Sequence, residues 1–472
     1  MIAVFAGLYV AAAVALAIYG LLGFVTLALF LRHRHERRPR PAVAADQWPT
    51  VTVQLPLFNE RDVVERLLDA AAALDYPRDR LQLQILDDST DDTTALAAAW
   101  ATRQRAAGLN VGLLHRDDRC GFKAGALAAA TAQAQGEFIA IFDADFVPQP
   151  SFLRQTLPYF HDDPQLGAVQ ARWSHLNAAD SALTAAQAIA LDKHFAVDQL
   201  VRHRANCFPK FNGSAGVWRR SCIEAVGGWQ ADTLCEDLCL STRAVLGGWR
   251  LHFADDVVAP AELPRTLLAY QNQQARWAMG ATQCLTKYAA PIWRAPDSSL
   301  LARLYALLSM SAYSTHPLLL FILSLQLPLI LSGFRFPSWM VIFSVLGLGQ
   351  PLLFLLAQQT LHRDWPRRAR HLPALLLLAI GIAPSNTWAV LRGLFERDFT
   401  FVRTPKGQAR SYRLRAGRGL WLQAALAVYA AGLLALALWL GNFGAALLPL
   451  FSLLGFGYVT LRGLAESRLA RG

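Results

Sequence analysis

Charge is scarce in this chain, and one long stretch has none. Only 17% of the 472 residues are Asp, Glu, Lys or Arg, while 54% are hydrophobic, which is too apolar for an ordinary soluble enzyme. Residues 1–31 carry no charged side chain, and Arg32-His33-Arg34-His35-Glu36-Arg37-Arg38 follows at once. A cleavable secretion signal has its positive charge ahead of a shorter apolar core. The reversed order excludes that reading and predicts a transmembrane helix with its C-terminal end in the cytoplasm. Cysteine is sparse as well: the six are far apart except for Cys235 and Cys239, and no Cys-x-x-Cys pair occurs. Neither a zinc site nor a disulfide framework is indicated. The net charge of +11 raises the question of nucleic acid. The excess lies in juxtamembrane margins, and no groove-like pattern of basic and aromatic residues accompanies it, so no nucleic-acid partner is expected.

Long apolar runs return only near residue 301. Leu304–Ser332 and Trp339–Gln359 are joined by a turn at Gly333-Phe334-Arg335-Phe336-Pro337, and Gly419–Leu440 and Phe443–Leu464 by Gly441-Asn442. Leu372–Ala383 has 12 residues, fewer than the ~20 a crossing helix needs. A crossing there would also put one arginine-rich flank (Arg363–Arg370 or Glu396–Arg418) outside, so Leu372–Phe395 reads as interfacial or re-entrant. The expectation is a multi-pass protein of about five spans in the lipid bilayer. Its amino terminus lies outside, and its catalytic region and carboxyl terminus lie in the cytoplasm.

Between the first span and the others the pattern changes. β-rich runs at Val51–Pro56, Leu81–Leu86 and Val111–His115 alternate with helical spacing over Asp62–Leu74, Thr94–Ala106 and Ala126–Ala134. That alternation predicts an α/β fold with ligand at the carboxyl ends of the strands. The last run, Glu137-Phe-Ile-Ala-Ile-Phe-Asp143-Ala-Asp145-Phe-Val-Pro148, reads as a strand buried on both faces of a parallel sheet. Asp143 and Asp145, two apart, would share one face of it. Paired carboxylates at such a strand end suit a hard divalent cation, and that cation suits a diphosphate. The same residues read equally as an acidic turn.

Other features are ambiguous taken singly. Asp87-Asp88 is a nucleotide anchor or a helix cap. Lys123, near Gly121 and Gly125, is a phosphate contact or a solvated turn. Glu236-Asp237 opens a helix, where acids often complement the dipole. Trp277 near the membrane is a headgroup anchor or a sugar platform. Phe211-Asn-Gly-Ser-Ala-Gly-Val-Trp218 is a flexible run suited to close approach of a ligand.

Together, in order, Asp87-Asp88-Ser, Lys123-Ala-Gly-Ala-Leu, Asp143-Ala-Asp145, Glu236-Asp237 and Gln273-x-x-Arg276-Trp277 resemble the processive family 2 glycosyltransferases, which include cellulose and hyaluronan synthases. Phe142-Asp-Ala-Asp-Phe, Val169-Gln-Ala-Arg-Trp and Phe211-Asn-Gly-Ser-Ala-Gly-Val-Trp-Arg are similar to the plant mannan and glucomannan synthases and xyloglucan-backbone glucan synthases. The match runs from Val51 to Thr286. The resemblance implies a cytoplasmic GT-A (Rossmann-like) domain set in a helical transmembrane domain with interfacial helices. The expected division is a transmembrane helix (1–31), a basic linker (32–50), the transferase domain (51–298), a transmembrane hairpin (299–360), an interfacial helix with a gating-like loop (361–418) and a second hairpin with a short basic tail (419–472).

It also implies roles. Asp87 and Asp88 hold the base and ribose of a nucleotide-sugar donor, and Lys123 steadies it. Asp143 and Asp145 bring Mg²⁺ or Mn²⁺ to its diphosphate, with Arg276 nearby. Asp237 is the general base that takes the acceptor proton. Glu236, Gln273 and Trp277 shape the acceptor end, with the Trp ring under a terminal sugar. Phe401-Val-Arg403-Thr404-Pro-Lys406 resembles the gating loop of cellulose synthases, with Phe401, Thr404 and Lys406 matching and Arg403 departing from it; Cys235 departs from the usual threonine before the acids. The implied activity is an inverting, processive β-hexosyl transfer from GDP-mannose or UDP-glucose to a polysaccharide passed across the membrane. The alternatives are a glycolipid synthase similar to ceramide glucosyltransferase, which adds one sugar to a lipid, and a non-catalytic polysaccharide-export scaffold. No protein partner is named by the sequence.

Overall fold

The computed structural model describes residues 2–36, 38–396 and 418–469. The expected gating residues Phe401, Thr404 and Lys406 lie outside these described residues. Its centre is a sheet of seven strands, β1 (Val51–Leu57), β2 (Leu81–Asp87), β3 (Asn110–His115), β4 (Phe138–Ile141), β5 (Leu166–His175), β6 (Gly216–Arg219) and β7 (Arg250–Ala261), in the order β3-β2-β1-β4-β6-β5-β7. The first four strands run parallel, as the alternation of strand and helix implies. The fully parallel sheet inferred from the Glu137–Pro148 run needs correcting. β6 runs antiparallel to both β4 and β5, so the sheet is mixed. Apolar cores lie on both faces: Leu67, Leu68, Trp100 and Phe142 pack on one, Leu127, Ile223 and Leu240 on the other, all essentially without solvent contact. Each such side chain contributes about 1.5–3 kcal/mol of burial.

A second correction concerns β4. It ends at Ile141, so Asp143 and Asp145 stand on a turn beyond the strand, closed by Phe146 N–H donating to the Asp143 carbonyl at 3.0 Å. The reason lies next door in β1. Gln54 still accepts from Phe142 N–H at 3.2 Å, but Pro56, two residues on and facing the same neighbour, has no N–H to continue the ladder.

Five described helices are long and apolar enough to cross a membrane: Ile2–His33, Ala312–Leu331, Ser338–Leu361, Gly419–Trp439 and Phe443–Arg468. Leu331, Val428 and Leu461 on them stay more than 60% exposed, an apolar surface that lipid covers. The run from Leu304 to Ser332 is divided: Leu300–Met310 is a separate helix, and a turn at Ala312–Ser314 follows it. Trp365–Gly381 and Ala383–Phe395 form a pair bent by 48°, the geometry of a broken span or a re-entrant loop. The helix Ile2–His33 crosses the Val341–Leu361 region through Gly20, where a Cβ would sit 2.3 Å from the Leu346 carbonyl oxygen. Small residues permit that approach, as they do between membrane helices generally.

The transferase-like sheet is fastened to these helices by polar contacts. Asp192, 3% exposed, accepts from Gln358 Nε2 at 2.8 Å and contacts His362 Nε2 at 2.9 Å and His175 Nε2 at 3.2 Å. A long helix, Leu267–Trp293, runs out of the sheet region and packs on Ala383–Phe395, where Gly393 lets it come close. The reading that no disulfide is indicated is also corrected: Cys239 and Cys284 are bonded, tying helix Glu236–Leu246 to Leu267–Trp293. A separation of 45 residues matches no short cysteine motif, so only the folded chain brings the two together.

Candidate active site

The carboxyl ends of β1, β2 and β4 gather the acids that the sequence singled out, but they fall into two unlike groups. Asp87, at the end of β2, is fully buried. Its Oδ2 accepts from Thr94 Oγ1 at 2.6 Å and contacts His115 Nδ1 at 2.8 Å, and its Oδ1 accepts from Ser89 N–H at 3.1 Å. That contact raises the His115 pKa. Asp88, 5% exposed, is held by Arg116, whose Nε donates to Oδ1 at 2.8 Å and whose Nη2 donates to Oδ2 at 2.6 Å. The same guanidinium donates to the Cys120 and Phe122 carbonyls at 3.0 Å and so braces the loop before Lys123. His115 and Arg116 were not foreseen as site residues. Their signal was available: a basic pair at the carboxyl end of β3, the strand that borders β2.

The second group surrounds Gly213. This glycine has φ +77°, and a Cβ there would lie 3.0 Å from Asp237 Oδ2 and 3.5 Å from Lys123 Nζ. Only glycine brings backbone so close to both at that angle. Lys123 Nζ donates to the Gly213 carbonyl at 2.9 Å and pairs with Asp143 Oδ1 at 2.6 Å, with Glu236 Oε1 3.7 Å away. Burial opposes the charge of Lys123, but Asp143, Glu236 and Asp237 together hold its pKa above the ordinary value. Ser214 Oγ accepts from Asp143 N–H at 2.9 Å, and Glu262 N–H donates to the Asp145 carbonyl at 3.2 Å, so both ends of the acidic turn are fixed by backbone. Ser214 was likewise missed, although it lies in the singled-out Asn-Gly-Ser run.

Asp237 sits in the first turn of helix Glu236–Leu246, with its Oδ1 accepting from Leu238 N–H at 2.8 Å. Burial and then the Glu236 charge push its carboxyl up to about 7, against the opposing pull of Lys123. A carboxylate so poised can take a proton near neutral pH.

Asp237 also lines a cavity of about 380 Å³ between the sheet region and the membrane helices, together with Gln273, Trp277, Trp173 and Tyr313. Residues 273 and 277 are one helical turn apart and share that face. Arg276 lies on another face, where burial lowers its pKa against the opposing charges of Asp143, Glu236 and Asp145. Glu236 does not line the cavity; the structure places it beside Lys123.

Asp143 and Asp145 offer hard oxygen donors suited to Mg²⁺ or Mn²⁺. Among the described residues no group of three His, Cys, Asp or Glu side chains could hold a metal. The pair therefore fits a cation completed by oxygens from outside the protein, as a diphosphate would supply.

Known proteins share sequence and fold with this chain. The profile of a family described as "Glycosyltransferase like family 2" matches residues 49–280. Glucomannan 4-beta-mannosyltransferase 2 of Arabidopsis thaliana is 40% identical over 256 residues, covering 53% of this chain and 48% of the relative. Glucomannan 4-beta-mannosyltransferase 1 of Oryza sativa subsp. japonica is 39% identical over 276 residues, covering 56% and 53%. The chain thus spans about half the length of these curated relatives. Among solved structures, mannosyltransferase PcManGT from Pyrobaculum calidifontis, in complex with GDP-Man and Mn²⁺, aligns with a TM-score of 0.56 at 22% identity. The alignment covers 83% of this chain and all of that one, a likeness of fold.

Proposed function

We propose, from the premise that residues 49–280 belong to glycosyltransferase family 2, that the chain transfers hexosyl units from a nucleotide sugar to a growing β-linked glycan. The observation that carries this reading is the position of Asp237. It lines the cavity on one side and lies beside Lys123 and Glu236 on the other, across a glycine that leaves no side chain between them. Asp143 and Asp145 are assigned to a divalent cation, which when bound neutralises charge on the departing diphosphate. Mn²⁺ in the PcManGT complex supports that assignment. Lys123 and Arg276 supply fixed positive charge around the same acids.

Asp237 accepts the proton of an acceptor hydroxyl as its oxygen forms a bond to the anomeric carbon. The bond from that carbon to the diphosphate oxygen breaks, and the configuration inverts. Trp277 and Gln273 are assigned to the acceptor. Asp88 and Arg116 frame the donor's nucleoside end; Asp87, enclosed by its own partners, holds the loop that does so. Names of the relatives favour mannose as the hexose. The cavity's reach to the membrane helices supports a processive mode with passage of the product between them. Arginines at 32, 34, 363, 367 and 370 support a catalytic region in the cytoplasm and an amino terminus outside.

The test is direct. Purified protein given Mn²⁺ or Mg²⁺ and radiolabelled GDP-mannose or UDP-glucose should make alkali-stable β-linked chains, with mannose the better donor. Single-sugar lipid products would replace the polymer reading with a glycolipid synthase, and no transfer from any donor would remove the enzymatic one.

A further inference from the structure

The cavity beside Asp237 has a polar wall that the reaction leaves without a task. Helix Ala182–Lys193 loosens into a π-helical stretch over His194–Gln199 before regular helix resumes at Leu200–Arg204. Such bulges turn side chains out of register and recur at functional sites. Here they bring His194, Asp198 and Arg202 to the cavity, where Lys210 joins them. Asp198 is taken by Lys193, 2.9 Å away. Arg202 is 6% exposed, its buried Nε has no hydrogen-bond partner, and its Nη1 reaches only Gln199 Oε1 at 3.4 Å. Among the described residues Lys210 Nζ has no hydrogen bond or ion pair. Buried donors are nearly always paired, so these two nitrogen-bearing side chains lining one cavity mark where a ligand's acceptors belong. Burial, with Arg202 beside it, holds the Lys210 pKa well below the ordinary lysine value, so its role is that of a hydrogen-bond donor rather than a fixed charge.

The wall is wired to the catalytic turn. Gln199 Nε2 donates to the Asn212 side-chain oxygen, so the Asn212 amide donates in turn to His194 Nε2 at 2.8 Å. Asn212 precedes Gly213, whose carbonyl holds Lys123. Burial, with Arg202 and then Lys193 and Lys210 nearby, drives the His194 pKa to about 3, so its ring is neutral and can accept.

We propose that Lys210 and Arg202 hold the terminal sugar of a glycan acceptor by its hydroxyls and so select a glycan over a lipid alcohol. The inference rests on the reading that this cavity receives the acceptor. A sugar offers several hydroxyl oxygens at its edge and an apolar face for a ring such as Trp277. A ceramide offers only two hydroxyls and an amide, all at the root of long apolar chains. Once its reacting hydroxyl faces Asp237 it has fewer acceptors left for these two donors than a sugar ring, and unpaired groups are what give polar sites their discrimination.

The experiment uses the full chain in detergent with GDP-mannose, Mn²⁺ and either β-1,4-mannotetraose or a short-chain ceramide as added acceptor. Lys210→Met should raise the mannotetraose KM by up to about tenfold, the loss of one hydrogen bond. The donor KM should stay within about twofold, and Lys210→Arg should recover most of the loss. Arg202→Lys, which keeps the charge but loses Nε, serves as the second variant should Lys210→Met lower the melting temperature. A mannotetraose KM unmoved in both variants, or ceramide preferred by the unaltered protein, overturns the inference while leaving sugar transfer intact. Failure of the unaltered protein to turn over any donor overturns the proposed function itself, a distinguishable result.

Discussion

Two acidic groups stand at the ends of β2 and β4, the strands on either side of β1, and they are built for opposite purposes. At the end of β2, Asp87 and Asp88 are closed off by Thr94, His115, the Ser89 amide and Arg116. Beyond β4, Asp143, Glu236 and Asp237 crowd round Lys123, and burial and then the Glu236 charge raise the Asp237 carboxyl to about 7. Where each acid has its own donors, the structure holds a loop. Where acids outnumber their donors, protons become easy to move. The contrast teaches that paired acids in sequence do not announce which kind they are; their partners do.

The sharpest way to break the contrast is Asp237→Asn. Removing a general base should lower turnover about 10²–10⁴-fold. The melting temperature should hold or rise, because an amide in that place carries no charge for burial and Glu236 to oppose. Normal turnover would dismiss Asp237 as the base. Next in size, Asp143→Asn and Asp145→Asn should each raise the metal concentration needed for half-maximal transfer by about tenfold or more, as a lost charged oxygen ligand implies. An unchanged metal titration would move the cation elsewhere.

The pH profile comes third. The base works when deprotonated, so kcat should climb as pH rises through about 7 and level off above it. The sign for stability is reversed. A carboxyl whose folded pKa is raised favours the folded state when protonated, so stability should decline as pH rises through about 7. A kcat flat from pH 5 to 8, pH values chosen to bracket about 7, would contradict that environment for Asp237.

The smallest effect on catalysis, but the clearest on folding, belongs to Asp87→Asn. It leaves buried donors facing an amide and should cost about 1–3 kcal/mol of stability. Thermal melts would register it, with kcat of the folded fraction changed far less than in Asp237→Asn. A stable variant that had lost donor binding would make Asp87 a direct ligand instead.

Much of the molecule was legible in its residues. Alternating strand and helix patterns located β1, β2 and β3 within a residue or two, and apolar length marked the five candidate spans. The bend between Gly381 and Ala383 has the geometry of a broken span as much as of the re-entrant helix read from the short apolar run. Hidden were features that depend on a distant neighbour. The early end of β4 follows from Pro56 on another strand, the reversal of β6 from its insertion between β4 and β5, and the Cys239–Cys284 bond from the approach of two helices. Glu236, adjacent to Asp237 in sequence, faces Lys123 rather than the cavity because successive residues of a helix point about 100° apart.

By itself, then, the sequence determined the period of each element, the length of each apolar helix and the presence of acids at the strand ends, since those are properties of residues near one another in the chain. Tertiary structure alone decided which acids are enclosed and which are left to act. The proton affinity of Asp237 depends on burial and on charges within a few ångströms, with Lys123 brought to it from far along the chain across Gly213. His115 and Arg116, distant in the chain from Asp87 and Asp88, enclose that other pair.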